Sequence, residues 1–192
     1  IEEFVKVIQG KRIVEKKLSV YPEYKIKLGD LSTQIKNFKE SRDSLITEKV
    51  GGGIVRKLYS TYLSYLSPAQ FAYSIPSYVD ERGMFAEILK TKDSGQFSFF
   101  TAGPGITRGG HYHHSKTEKF LVVQGEARFC FRHVASGEIY EIITTDLELK
   151  IVETVPGWSH DITNISSKDM IVMLWANEIF DPDSPDTITH KV

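Results

Sequence analysis

Gly105 to Gly125 reads GITRGGHYHHSKTEKFLVVQG, and the spacing of its histidines, its glutamate and its two outer glycines sets the frame for the chain. Successive side chains of an extended strand point to opposite faces. His111 and His113 therefore project together, while Tyr112 and His114 project away from them. Ser115, Lys116 and Thr117 make a short polar turn, after which a returning strand brings the Glu118 carboxylate back beside both imidazoles. Two nitrogens and one oxygen suit zinc, or a divalent manganese, iron or nickel ion. Downstream, PGWSHDITN offers a further ligand: Pro156-Gly157 forms a turn, His160 follows, and Asn164 stands four residues beyond it.

These two stretches resemble the pair of cupin motifs. The first, from Gly105 through His111, His113 and Glu118 to Gly125, matches throughout. The second departs from the pattern, because Pro156 directly precedes Gly157 and Lys150 stands where a glycine is usual. A lone His-x-His is a weak signal, whereas four ligand-type residues in this order are a specific one. The resemblance implies a mainly β fold, the cupin double-stranded β-helix or jelly-roll barrel, with the metal inside its mouth.

The 192 residues hold one ordinary domain and an appendage, and 41% apolar content is ample for a core. Lys plus Arg is 24 and Asp plus Glu is 25, giving a net charge of −1 without blocks of one sign. No nucleic-acid partner is expected from that balance, and the apolar runs are too short for a membrane span. Cys130 is the single cysteine, which excludes an internal disulfide and makes a reducing cytoplasm the simplest location.

The first residues read as a helix, with Ile1, Phe4, Val5 and Ile8 on one face and Gly10 ending it. A short extended piece is expected over Tyr24–Leu28. Asp30 then caps a helix carrying Leu31, Ile35 and Phe38. Tyr21 and Lys25 have the spacing of a dehydrogenase proton relay, but Pro22 removes the helix that would align them. Gly51-Gly52-Gly53 lacks a preceding strand and reads as a joint, not a phosphate loop. Residues 54–66 form a short amphipathic helix. From Pro68 onward short alternating segments follow: a hairpin about Asp80–Gly83, then strands over Met84–Lys90, Gln96–Ala102, Phe120–Gln124, Ala127–His133, Glu138–Thr144, Leu147–Val155 and Met170–Asn177.

The runs KLYSTYLSYL (57–66), DERGMF (80–85), GGHYHHSKTEKFLVV (109–123), FRHV (131–134) and WANEIFDPDSPDT (175–187) resemble the C-terminal cupin of bacterial capsular polysaccharide UDP-sugar reductases. That family joins an NADPH-binding short-chain dehydrogenase to a zinc cupin. The resemblance implies that residues 1–53 are a helical remnant of the α/β dehydrogenase domain, 54–67 a linker helix and 68–192 the metal-binding cupin, in a chain that is the C-terminal piece of something longer. It implies a UDP-amino-sugar substrate, C3 epimerisation of a UDP-2-acetamido-2,6-dideoxy-4-hexulose at the cupin, and C4 reduction in the NADPH domain. The alternative is a non-catalytic zinc cupin for dimerisation and nucleotide-sugar binding; a third reading, an iron dioxygenase, would need open positions on the iron.

Ligand candidates are His111, His113, Glu118 and His160. His133 alternates with Phe131, Phe129 and Ala127 toward the interior and is the candidate acid or base. Arg132 and Lys119 are candidate cations for the UDP diphosphate. Trp158 and Trp175 read as packing residues. Exposed strands in such a fold invite pairing across a two-fold axis, so a homodimer through the cupin is expected.

Overall fold

A strand forms where a neighbour can take its backbone hydrogen bonds, and the segments after Pro68 find such neighbours in two sheets. The computed structural model describes residues 2–13 and 21–192; Ile1, read above as part of the first helix, lies outside them. The chain divides into two compact units, one ending at Gln34 and the other running from Ile35 to Val192. In the first, α1 (Glu2–Ile8) leaves Phe4 and Ile8 exposed, and Gly10 follows it at φ 67°. Tyr24–Lys27 form no strand, because no neighbour pairs with them among the described residues, and α2 (Leu28–Ser44) starts two residues ahead of the expected Asp30 cap. No described helix is long and apolar enough to cross a membrane.

In the second unit Phe38, the buried residue of α2, packs its ring 5.1 Å from Tyr59 and 5.9 Å from Tyr62. Both tyrosines lie on α3 (Gly53–Ser64), which β1 (Ile46–Thr47) and the glycine joint precede. The barrel strands are β2 (Ser77–Asp80), β3 (Gly83–Thr91), β4 (Gly95–Ala102), β5 (Thr107–Tyr112), β6 (Glu118–Gln124) and β7 (Glu126–His133). They continue as β8 (Ile139–Thr145), β9 (Ile151–Glu153), β10 (Trp158–Asn164), β11 (Met170–Ala176) and β12 (Ile188–Thr189). One sheet runs β1-β3-β4-β11-β6-β9 with β2 on β3, the other β12-β5-β10-β7-β8. This is the jelly-roll barrel of the sequence reading.

The alternating apolar residues meet between the sheets. Phe120, Val122, Met170 and Val172 of one face Phe129, Phe131 and Ile162 of the other, each at most 7% exposed. Full burial of one such side chain contributes about 2–3 kcal/mol. Asn164, fully buried, spends its whole hydrogen-bonding capacity on the end of β4 and the β10–β11 turn: its amide donates to the Ala102 and Lys168 carbonyls at 2.8 Å, and its oxygen accepts from Ser166. The expected long strand over Leu147–Val155 is shorter than its sequence promised. The chain first turns, with Glu148 N–H on the Thr145 carbonyl, and only Ile151–Glu153 pair with β6.

Candidate metal centre

His111 lies on β5, His113 just past its end, Glu118 at the start of β6 and His160 on β10, where it pairs in register with His111. One ligand atom from each of the four falls within 4.8 Å of the other three. Ring centres of His111 and His160 are 4.7 Å apart, those of His111 and His113 5.0 Å. His113, Glu118 and His160 are buried.

The protons of this cluster leave room for a cation. His113 Nδ1 is 2.5 Å from the Asp186 carbonyl oxygen, which can only accept, so Nδ1 carries the hydrogen and donates it. The Nε2 lone pair then faces the Glu118 carboxylate at 3.2 Å, and His160 Nε2 faces the same oxygen at 3.5 Å. A lone pair against a carboxylate needs a positive charge between them, a proton or a metal ion. Among the described residues no partner reaches the buried Nδ1 of His160, an orphan that costs about 1–3 kcal/mol. The donor set, its convergence and its tautomer fit a divalent ion of the kind imidazole and carboxylate prefer.

In the metal-free protein burial opposes the charge on Glu118, but a proton held between its carboxylate and the facing nitrogens of His113 and His160, with the Lys116 cation, outweighs it and holds its pKa well below the usual carboxylate range. Lys116 Nζ lies 3.1 Å from Glu118 Oε1, and both side chains are buried. Burial first, then the neighbouring His160, pushes His111 down to about 4. Unfolded, the same ring titrates near 6.5. Between these values the unfolded chain binds more protons, so metal-free stability falls as pH drops through that window. Glu118, depressed on folding, adds a loss in the same direction below its ordinary 4.5. Thermal melts of chelated protein should show about 1–2 kcal/mol less stability at pH 5 than at pH 7, after allowance for solvent screening of the half-buried His111 ring. A flat profile would mean that these rings are not held as described.

A second layer holds the first. The Asp186 carboxylate accepts from the backbone N–H groups of His114, Ser115 and Lys116 at 2.7–2.9 Å and from the Ser115 hydroxyl. These bonds pull its pKa far below the usual value. Residues 188 and 189 pair with Tyr112 and His111 as β12, His190 N–H donates to the Gly110 carbonyl, and the Ser159 hydroxyl donates to the His190 carbonyl. On β5, Gly109 has φ 100°, and a Cβ there would sit 2.8 Å from the carbonyl oxygen of His160 on β10. Only glycine permits that approach.

The structure brings together the four proposed ligands and leaves the other candidates apart. His133 ends β7 opposite Trp158, packs tilted against its ring with centres 5.0 Å apart and hydrogen-bonds Ser136. It does not line the cavities beside the cluster. Arg132 is exposed, and Lys119 is exposed and paired with Glu153 across β6–β9. Two cavities of about 240 and 420 Å³ open beside the cluster, both lined by Arg82, His111, Glu118 and Leu174. Arg82, Arg108 and Lys116 on their walls were missed by alternation and turn reading alone; the consecutive Gly109 and Gly110, unusual inside a strand, were the available signal.

Comparison with known proteins carries this geometry to a family. The model of the polysaccharide biosynthesis C-terminal domain matches residues 78–188. The Pseudomonas aeruginosa UDP-2-acetamido-2,6-beta-L-arabino-hexul-4-ose reductase is 58% identical over 192 residues, all of this chain and 52% of that protein. The capsular polysaccharide assembling protein CapF of Staphylococcus aureus is 40% identical with a TM-score of 0.87, over 100% of this chain and 52% of that one. A crystal structure of CapF with the inhibitor 3-isopropenyl-tropolone gives 40% and 0.88, over 100% and 56%. The chain thus spans about half the length of these relatives. With barrel, motif and family model in agreement, the chain belongs to the polysaccharide biosynthesis C-terminal domain family.

Proposed function

We propose that this chain is the metal-holding part of a UDP-sugar enzyme of capsular polysaccharide or O-antigen synthesis, and that it epimerises C3 of a UDP-2-acetamido-2,6-dideoxy-4-hexulose. The observation that carries the reading is the convergence of His111, His113, Glu118 and His160 at the wall of a cavity. The P. aeruginosa relative is by name a reductase of a UDP-hexulose, a sugar with the ketone such chemistry needs. Zinc is the first choice for this donor set. C4 reduction falls to an NADPH domain outside this chain. Residues 1–53 are the remnant of that domain, 54–67 a linker and 68–192 the cupin, working in the cytoplasm.

A proton beside a ketone is acidic because the charge left behind moves onto the carbonyl oxygen. Inversion at C3 needs a proton removed on one face and returned on the other. When bound, the ion supplies positive charge for that oxygen. The chain's residues hold the ring, exclude water and carry the proton. A transferring group has to line the cavity, which Lys116 and Glu178 do and His133 does not. Exposed Tyr140, Ile143, Ile151 and Val155 lie on or beside the sheet-edge strands β8 and β9 and suit the proposed homodimer.

A second reading has one specific observation behind it: four protein donors close a zinc site, as structural zinc requires, and catalytic zinc more often has three. Proton NMR in D2O with the UDP-4-keto-6-deoxy sugar separates them. Epimerisation predicts loss of the C3 proton signal, abolished in His111→Ala. A folded, metal-loaded protein that exchanges nothing would leave only the binding module.

A further inference from the structure

Strand alternation places Arg108 on the face opposite His111, three residues on. The structure places both inward. On β10, His160 pairs with His111 and Ile162 pairs with Arg108, and Asp161 between them faces the glycines, where the register shifts. This β-bulge, built on Gly109 and Gly110 at φ 100° and 80°, turns the strand so that a guanidinium enters the barrel beside the metal ligands. Its side chain is 13% exposed. Nε donates to the Thr101 carbonyl at 3.0 Å, and the guanidinium lies 5.1 Å from the centre of the Phe100 ring.

The charge of Arg108 is only half answered. Its ion pair is with Asp80 at 4.0 Å, and Asp80 already holds Arg82 through Nε at 3.0 Å and Nη2 at 2.5 Å. Two guanidinium groups share one carboxylate at the wall of the cavity that His111, Glu118 and His160 also line. Glu87, on the adjoining cavity, is taken up by Lys90 at 2.5 Å. Planar forks of this kind match phosphate oxygens two at a time.

We infer that Arg108 and Arg82 form an anion subsite for the diphosphate of the nucleotide sugar, with its sugar ring directed at the metal cluster. This rests on the function proposed above and names the part of that substrate which the bulge serves. Asp80 orients Arg82, and the Phe100 ring backs the face of Arg108.

Calorimetric titration of the metal-loaded 192-residue chain with UDP, pyrophosphate and uridine tests it, with metal content measured for each variant. Arg108→Gln should weaken UDP and pyrophosphate by about tenfold or more, and Arg82→Gln by a smaller factor, with uridine unchanged. Arg108→Lys keeps charge and packing but loses the fork, and should fall between wild type and Arg108→Gln. Should Arg108→Gln fail to fold, Arg108→Lys and the exposed Arg82→Gln still carry the test. Equal UDP affinity in folded, metal-replete Arg108 and Arg82 variants overturns the subsite. If UDP binding follows these arginines but no sugar proton ever exchanges, the subsite stands and the epimerase reading fails. If exchange proceeds with unchanged KM in the arginine variants, the reverse holds.

Discussion

Glu118→Gln should release the metal and unsettle the barrel at once. Glutamine keeps the volume of the side chain but removes the negative charge toward which His113, His160 and Lys116 all point. Loss of a supporting partner typically costs a metal site ten- to a hundredfold in affinity, so loss of a ligand should cost about a hundredfold or more. In the metal-free protein, Lys116 is left buried 3.1 Å from a neutral amide. Breaking a buried pair on one side costs about 3–5 kcal/mol. Metal analysis after dialysis and urea melts read the two effects separately. Adding Lys116→Met should recover part of the stability and none of the metal, a non-additivity expected of direct contacts. Retention of one ion per chain in Glu118→Gln would remove Glu118 from the ligand set.

Phe129→Ala should cost about 3–5 kcal/mol in a denaturant melt, since a large ring leaves a void that neighbours fill only in part. Phe129 is 2% exposed, packs tilted with its ring centre 5.7 Å from that of Phe120 of the other sheet and pairs across β7–β10 with Ile162. Ile162 is in turn the partner of Arg108. The same variant should therefore loosen the floor beneath the proposed anion subsite, seen as faster hydrogen exchange in β5 and β10. A loss below about 1 kcal/mol would mean that the two sheets close over the gap.

The four-donor cluster was legible because it depends on local rules. Alternation put His111 and His113 on one face, a polar turn returned Glu118, and the resemblance of the Pro-Gly segment to the second cupin motif joined His160 to them. The positions of β3, β4, β6, β7, β8 and β11 followed from the same alternation, with ends shifted by a residue or two. The cations on the cavity wall escaped because each depends on an exception to it. Arg108 is turned inward by a bulge, and Lys116, read as a turn residue, folds back onto a carboxylate two positions on. His133 keeps the right parity but ends its strand two residues past Phe131, the partner of His160, so direction alone misjudged its distance from the cluster. Asp186 could not be found locally, being 73 residues from the histidine whose tautomer it fixes.

That last separation bears on when the site comes into being. A loop of such length closes slowly, and its contacts belong to the late part of folding. The turn of residues 113–117 has no fixed protein acceptor for the N–H groups of His114, Ser115 and Lys116 until Asp186 arrives, and β5 lacks its outer neighbour until residues 188 and 189 pair with it. A nascent chain would therefore have its hydrophobic interior in place before it could retain an ion tightly. Loading is gated by the arrival of the last strand, so a product stopped short of residue 186 would emerge as an assembled but leaky vessel.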